Sequence, residues 1–190
     1  MQMLEEPTDV ALDPRQLLSA LNAFKKGDFS VRMDTDAGGA TGKVAAAFNE
    51  VVELNERLIG ELERSDALLI ATPMHNFTLP AALKLWIDYV LRIHRTFAAT
   101  PEGKVGLMRD RPAFVIVGSG GFHCGEHARQ RDFLTPYLRY ALGSIGLQSL
   151  HFLLLQGLVR GDEAVNEALQ CARDEIARHA LFASDDAVTL

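Results

Sequence analysis

The sequence predicts an α/β fold, a parallel sheet with flanking helices, and three observations carry that prediction. Short apolar runs at residues 66–72 (DALLIAT), 113–117 (AFVIV) and 150–155 (LHFLLL) have the length and composition of buried strands. The first two run directly into loops rich in Pro, Asn or Gly, and helical patterns separate the runs. Strands that alternate with helices pair in parallel, because a parallel connection needs the crossover that a helix supplies.

The chain is organised around residues 66–83, where a buried interior strand passes through the loop PMHNF into a helix. In open α/β sheets ligands bind beyond the carboxyl ends of the strands, at corners of this kind. Thr78 is placed to cap the helix and Pro80 falls in its first turn. Leu83, Trp86, Ile87, Val90 and Leu91 form its apolar face, while Lys84, Asp88 and Arg92 recur every four residues as solvent-side charges. Residues 96–111, rich in Gly, Pro and Thr, read as a loop. After the second strand, Gly118, Ser119, Gly120 and Gly121 leave room for a ligand to approach the backbone. Residues 133–147 form a further amphipathic helix. Residues 162–183 form the last one, followed by a frayed tail.

Residues 1–64 read as a helical arm. Asp13, Pro14 and Gln16 mark a helix start, and Leu17, Leu21 and Phe24 share one face before Lys25, Lys26 and Gly27 end it. Residues 29–33 (FSVRM) fit either a short strand or an extended connector, and residues 34–42 form a loop. That loop is not a phosphate-binding P-loop: beside Gly38, Gly42 and Lys43, the pattern would require glycine at Ala37 and a hydroxyl at Val44. From residue 43 to 64, Val44, Phe48, Val51, Asn55, Leu58 and Leu62 follow the spacing of a coiled-coil seam. Two readings fit it: a seam whose asparagine fixes register with a partner helix, or one amphipathic helix lying on the sheet.

Composition narrows the function classes. With 190 residues, 48% of them hydrophobic, the chain can bury a core, and its net charge of −6 without a basic cluster argues against nucleic-acid binding. No apolar run approaches the roughly 20 residues of a membrane span, and the acidic start MQMLEEPTD lacks a signal segment. The expected compartment is the cytoplasm, with Cys124 and Cys171 reduced. No metal is expected, because His123, Cys124 and His127 lack the further ligands that a zinc site needs. Ser119 sits outside a G-x-S-x-G elbow, and no triad partners follow it.

Two resemblances add to this reading. The segments DPRQLLSALNAFKKGDFSVRM and GKVAAAFNEVVELNERL resemble the HAMP signalling modules of bacterial sensor histidine kinases, in which paired helices joined by an extended connector relay signals. With no membrane-spanning run before these segments and no kinase after them in this sequence, the resemblance implies helix pairing. Residues 60–160 carry TPMHNFTLPAALKLWIDYVLR, Thr96 with Phe97, GLM at 106–108, VIVGSGGFH and PYLRYALGSIGL. They resemble the FMN-dependent NADH azoreductases and the related flavodoxin-like NAD(P)H:quinone reductases.

That second resemblance implies a flavodoxin-like sheet whose N-terminal strand region is replaced by the helical arm, giving an arm over 1–64 and an α/β domain over 65–190. It also implies FMN as cofactor, NADH or NADPH as donor, a quinone or azo compound as acceptor, and a homodimer. Pro73, Met74, His75, Asn76 and Phe77 would lie along the isoalloxazine edge. Gly118, Ser119, Gly120 and Gly121 would line the other edge. His123 would lie over the substrate side to orient it or relay a proton. The chain departs from the family at His75, where Tyr is usual, at Ser144 and at Ala98 and Ala99, where aromatics are usual. The family's first strand and its Ser-rich phosphate loop have no counterpart in residues 1–60, so flavin affinity is expected to fall below the family's. The rival expectation is a non-catalytic helical oligomerisation or signalling protein on a flavodoxin-like scaffold.

Overall fold

Asp13 caps the first helix as its sequence predicts, its carboxylate accepting the Arg15 N–H at 2.8 Å, and α1 (Pro14–Lys25) follows. A computed structural model describes residues 13–179; the acidic lead and the tail beyond residue 183 lie outside the described residues. Gly27 turns the chain at φ +87°, where a Cβ would meet the Ile93 carbonyl at 2.9 Å. The FSVRM segment is an extended connector, not a strand. It is pinned by Asn49, whose amide accepts the Met33 N–H and donates to the Met33 carbonyl, both at 2.9 Å. One side chain thus replaces a strand partner.

The second helix, α2 (Gly39–Arg64), starts four residues before the predicted position. Its buried residues are Ala45, Val52, Asn55, Ile59, Gly60 and Leu62, whereas Val44 and Val51 of the predicted seam are exposed. The stripe is rotated because two surfaces compete for it. Ala45 and Phe48 pack with Ala20 and Met33, while Leu58 and Leu62 join the main core. Asn55 is engaged within the chain: it donates to the Val51 carbonyl at 2.8 Å and accepts from the Arg92 guanidinium at 3.1 Å. Of the two readings, the helix lying on the sheet domain describes this half of α2. Arg92, read as a solvent-side charge, is drawn inward by that contact; Lys84 and Asp88 do pair at the surface, at 2.5 Å.

Arg111 ties the end of α2 to the sheet. Its buried guanidinium donates to the carbonyls of Leu62, Glu63 and Ser65, the last at 2.6 Å, and places a cation at the helix C-terminus.

The main sheet holds β1 (Leu68–Pro73), β4 (Ala113–Gly118) and β5 (Leu150–Leu155), all parallel, in the order β1-β4-β5. The register pairs Leu69 with Phe114 and Phe114 with His151. The crossovers are α3 (Ala81–Val90) and α4 (Leu134–Gly143), and α5 (Asp162–Arg178) closes the described chain. Val115, Val117, Ile87, Val90, Leu134, Leu138, Leu142, Ile145 and Leu147 form the core between one sheet face and α3 and α4. Each such side chain contributes roughly 1.5–3 kcal/mol by leaving water. On the opposite face Phe114 and His151 stack, and His179 at the end of α5 meets both rings edge-on.

Three expectations are corrected. The first strand is not an interior one: β1 forms the sheet edge, and Leu69 on its second face is 68% exposed, because among the described residues no strand or helix lies beyond it. Residues 96–111 are not a plain loop but hold a hairpin, β2 (Phe97–Thr100) and β3 (Gly103–Gly106), too short and glycine-rich to alternate in sequence. Thr78 does not cap α3: its backbone exchanges hydrogen bonds with His75, and Pro80 takes the cap position.

Candidate functional site

The site grows from the carboxyl ends of β1 and β4. β1 hands its last ladder bond forward when the Met74 N–H donates to the Gly118 carbonyl at 2.8 Å. His75 and Thr78 then exchange both backbone bonds, at 2.8 and 2.9 Å, closing a tight loop around Asn76 and Phe77. Both central residues have positive φ, +44° and +70°. Asn tolerates that region, but for Phe it costs of order 1 kcal/mol or more, and strain of this kind collects at ligand loops. The loop is held by the Phe133 N–H, which donates to the Phe77 carbonyl at 3.1 Å.

The glycine loop is built inward rather than left open. The Ser119 N–H donates to the Leu155 carbonyl at 2.8 Å, and its hydroxyl donates to the Gly121 carbonyl, also at 2.8 Å. A Cβ on Gly118 would meet Leu158 at 3.3 Å, and one on Gly120 would meet Val159 at 2.8 Å. These glycines therefore admit side chains of the tight turn at Leu158–Arg160.

Residues of both loops share one cavity of about 620 Å³, lined by Pro73, Met74, His75, Gly118, Ser119 and Gly120. Ala71, Thr72, Ile116, Leu155, Leu158 and Val159 complete its lining. Asn76, Phe77, Gly121 and His123 do not line it.

His123 stands in a second cluster. Its ring is fully enclosed; Nδ1 lies 3.3 Å from Asp132 Oδ2, and Nε2 is buried without a protein partner. The other Asp132 oxygen accepts the N–H groups of Leu134 and Thr135, both at 2.9 Å, so one carboxylate caps α4 and holds the imidazole. Burial pushes the Asp132 carboxyl up, but hydrogen bonding from Thr135, the nearby His123 and the Leu134 N–H outweigh it and hold the group below the ordinary carboxylate value. The Gln156 carbonyl oxygen accepts the His123 and Cys124 N–H groups at 2.7 and 3.0 Å, and Gln130 reaches from this cluster to the Met74 sulfur at 3.4 Å.

Sequence reasoning missed Asp132, Gln130 and Gln156. Asp132 carries a readable signal, an aspartate directly before a helical pattern. The two glutamines carry none, because their contacts span 56 and 32 or more positions. Among the described residues no three His, Cys, Asp or Glu side chains are grouped to hold a metal ion, and no helix is long and apolar enough to cross a membrane.

The family model described as "Flavodoxin-like fold" matches residues 13–180. FMN-dependent NADH:quinone oxidoreductase 4 of Pseudomonas fluorescens is 71% identical over 130 residues, which cover 68% of this chain and 63% of that protein. FMN-dependent NADH:quinone oxidoreductase 5 of Burkholderia lata is 57% identical over 129 residues, covering 68% of this chain and 61% of the relative. The chain thus spans about three fifths of the length of these curated relatives. Among solved structures, an azoreductase of Bacillus anthracis superposes with a TM-score of 0.62 at 22% identity, over 90% of this chain and 74% of that one. A B. anthracis FMN-dependent NADH-azoreductase solved with FMN gives 0.61 at 22% identity, over 89% and 75%. The solved structures share the fold, and the family match takes in α1 and α2 together with the sheet: this chain belongs to the flavodoxin-like fold family.

Proposed function

We propose that the chain is the flavin-binding part of an oxidoreductase that moves hydride from NADH or NADPH to a quinone or azo acceptor. One observation carries the proposal: the β1 and β4 loops, 45 residues apart in sequence, bring Pro73, Met74, His75, Gly118, Ser119 and Gly120 to a single cavity at the carboxyl edge of a parallel sheet. The same segments lie in the stretch shared with relatives named FMN-dependent NADH:quinone oxidoreductase. Flavin, when bound, supplies the hydride-accepting chemistry.

The chain's own residues bind and orient. Residues 73–75 would hold one ring edge and 118–120 the other, while Asn76, Phe77 and Gly121 would set the loop shapes from behind. His123, held by Asp132, would orient the substrate or relay a proton as the acceptor takes up its own. A homodimer in the cytoplasm fits this reading, with the exposed Val44, Val51 and Leu54 stripe of α2 as a surface suited to a partner helix. That stripe is also what favours the rival, a helix-pairing protein of HAMP-like arm and non-catalytic sheet.

Adding FMN to the purified chain separates the two. The enzyme reading expects a yellow protein that oxidises NADH in the presence of a quinone, and the rival expects a dimer that stays colourless. Sedimentation as a monomer at micromolar concentration would exclude the dimer.

A further inference from the structure

We propose that the cavity between the β1 and β4 loops recognises the flavin ring and leaves the flavin phosphate unread, so that riboflavin and FMN bind alike. The inference rests on flavin being the ligand of this cavity. Its lining contains no Lys or Arg, and the only titratable side chain in it is that of His75. The two hydroxyls are already committed to the protein: Thr72 donates to the Pro73 carbonyl at 3.1 Å and Ser119 to the Gly121 carbonyl at 2.8 Å. Leu155, Leu158 and Val159 of the lining are apolar. Such a surface suits a planar, uncharged heterocycle and gives nothing to a phosphate dianion.

Helix N-termini are the usual alternative to cationic side chains, because their free N–H groups cradle anions. None of the α-helix N-termini lines the cavity, and two already carry acidic groups of the chain. The N–H groups of Leu134 and Thr135 at the start of α4 are taken by the Asp132 carboxylate, an internal anion in the place a phosphate would occupy. α3 begins behind Pro80, which has no N–H, and the Thr78 N–H before it is bound to His75. α5 opens with Asp162 and Glu163 in its first turn. The N-terminus of α2 follows Asp34 and Asp36 and packs with α1, away from the cavity. A net charge of −6 adds general repulsion.

The test is a titration of the full chain with riboflavin and, separately, FMN, read by quenching of ring fluorescence. Where a site does read phosphate, even two charge-assisted bonds favour FMN by roughly a hundredfold. Here the two dissociation constants should agree within about threefold, and inorganic phosphate should not displace FMN. FMN binding more than about thirtyfold tighter than riboflavin, or displacement by phosphate, would overturn the inference. Binding of neither flavin would overturn the flavin reading itself, which is a different outcome. Ala71→Trp, which adds bulk to the lining of the cavity, should weaken both flavins together by tenfold or more, about 1.4 kcal/mol. If it weakens neither, or only one, the assignment to this cavity fails.

Discussion

His123 Nδ1 lies 3.3 Å from the Asp132 carboxylate inside an enclosed cluster, and the same carboxylate caps α4. An ionised carboxylate only accepts, so Nδ1 of the imidazole carries a proton. Asp132→Asn should keep the cap, since Asn caps as well as Asp, while offering an N–H₂ that obliges Nδ1 to accept. The expected result is loss of the proton from Nδ1 of His123 in nitrogen NMR with little change in melting temperature. Asp132→Ala should instead cost about 1–2 kcal/mol through the lost cap.

The low Asp132 pKa has a pH consequence. A depressed folded-state value means that the stabilisation is fully present above the ordinary carboxylate value of 3.8 and is lost as pH falls through the lower folded value. Asp110 behaves in the same way. Its carboxylate accepts the Ser149 hydroxyl at 2.7 Å and the N–H groups of Arg111, Gln148 and Ser149, which together hold its pKa down against slight burial. Asp110→Asn should therefore flatten part of the acid limb of urea-unfolding stability against pH. Because the group is exposed, Asp110→Ala should cost only about 1 kcal/mol near neutrality.

Arg111 is the buried cation closing α2. Arg111→Ala leaves the carbonyls of Leu62, Glu63 and Ser65 without their donor, so urea denaturation should show a loss of about 2–3 kcal/mol. Arg111→Lys should recover only part of it, since an ammonium cannot reproduce the planar fork.

Phe77 sits at φ +70°, a conformation that glycine adopts without penalty. Phe77→Gly should leave the melting temperature unchanged or raise stability by up to about 1 kcal/mol, whereas Phe77→Val should lower it. A gain in stability accompanied by weaker flavin binding would mark the strain as part of the site.

The central part of the fold was readable because its signals are local. β5 lies where its apolar run predicts, β4 extends one residue further, and α3 keeps the apolar face from Leu83 to Leu91. The loops at Pro73 and Gly118 could be placed at the sheet's carboxyl edge for the same reason. What sequence could not show depends on neighbours. Leu68 and Leu69 look equally buried in the sequence, yet Leu69 is a surface residue because none of the described residues covers it. The rotation of the α2 stripe follows from two packing surfaces meeting one helix, and the role of Asp132 follows from a contact nine positions away.

Among the described residues no strand pairs with the outer edge of β1, which predicts edge-to-edge association. Leu68 and Met74 donate their N–H groups toward β4, which leaves those of Leu69 and Ala71 turned outward along a segment, LLIATP, that contains no charge. Pro73, lacking an N–H, is its single interruption. Concentrated protein should thus scatter light through edge-to-edge association, and a gatekeeper charge, Leu69→Lys, should suppress that scattering while leaving the core on the other face of the sheet untouched.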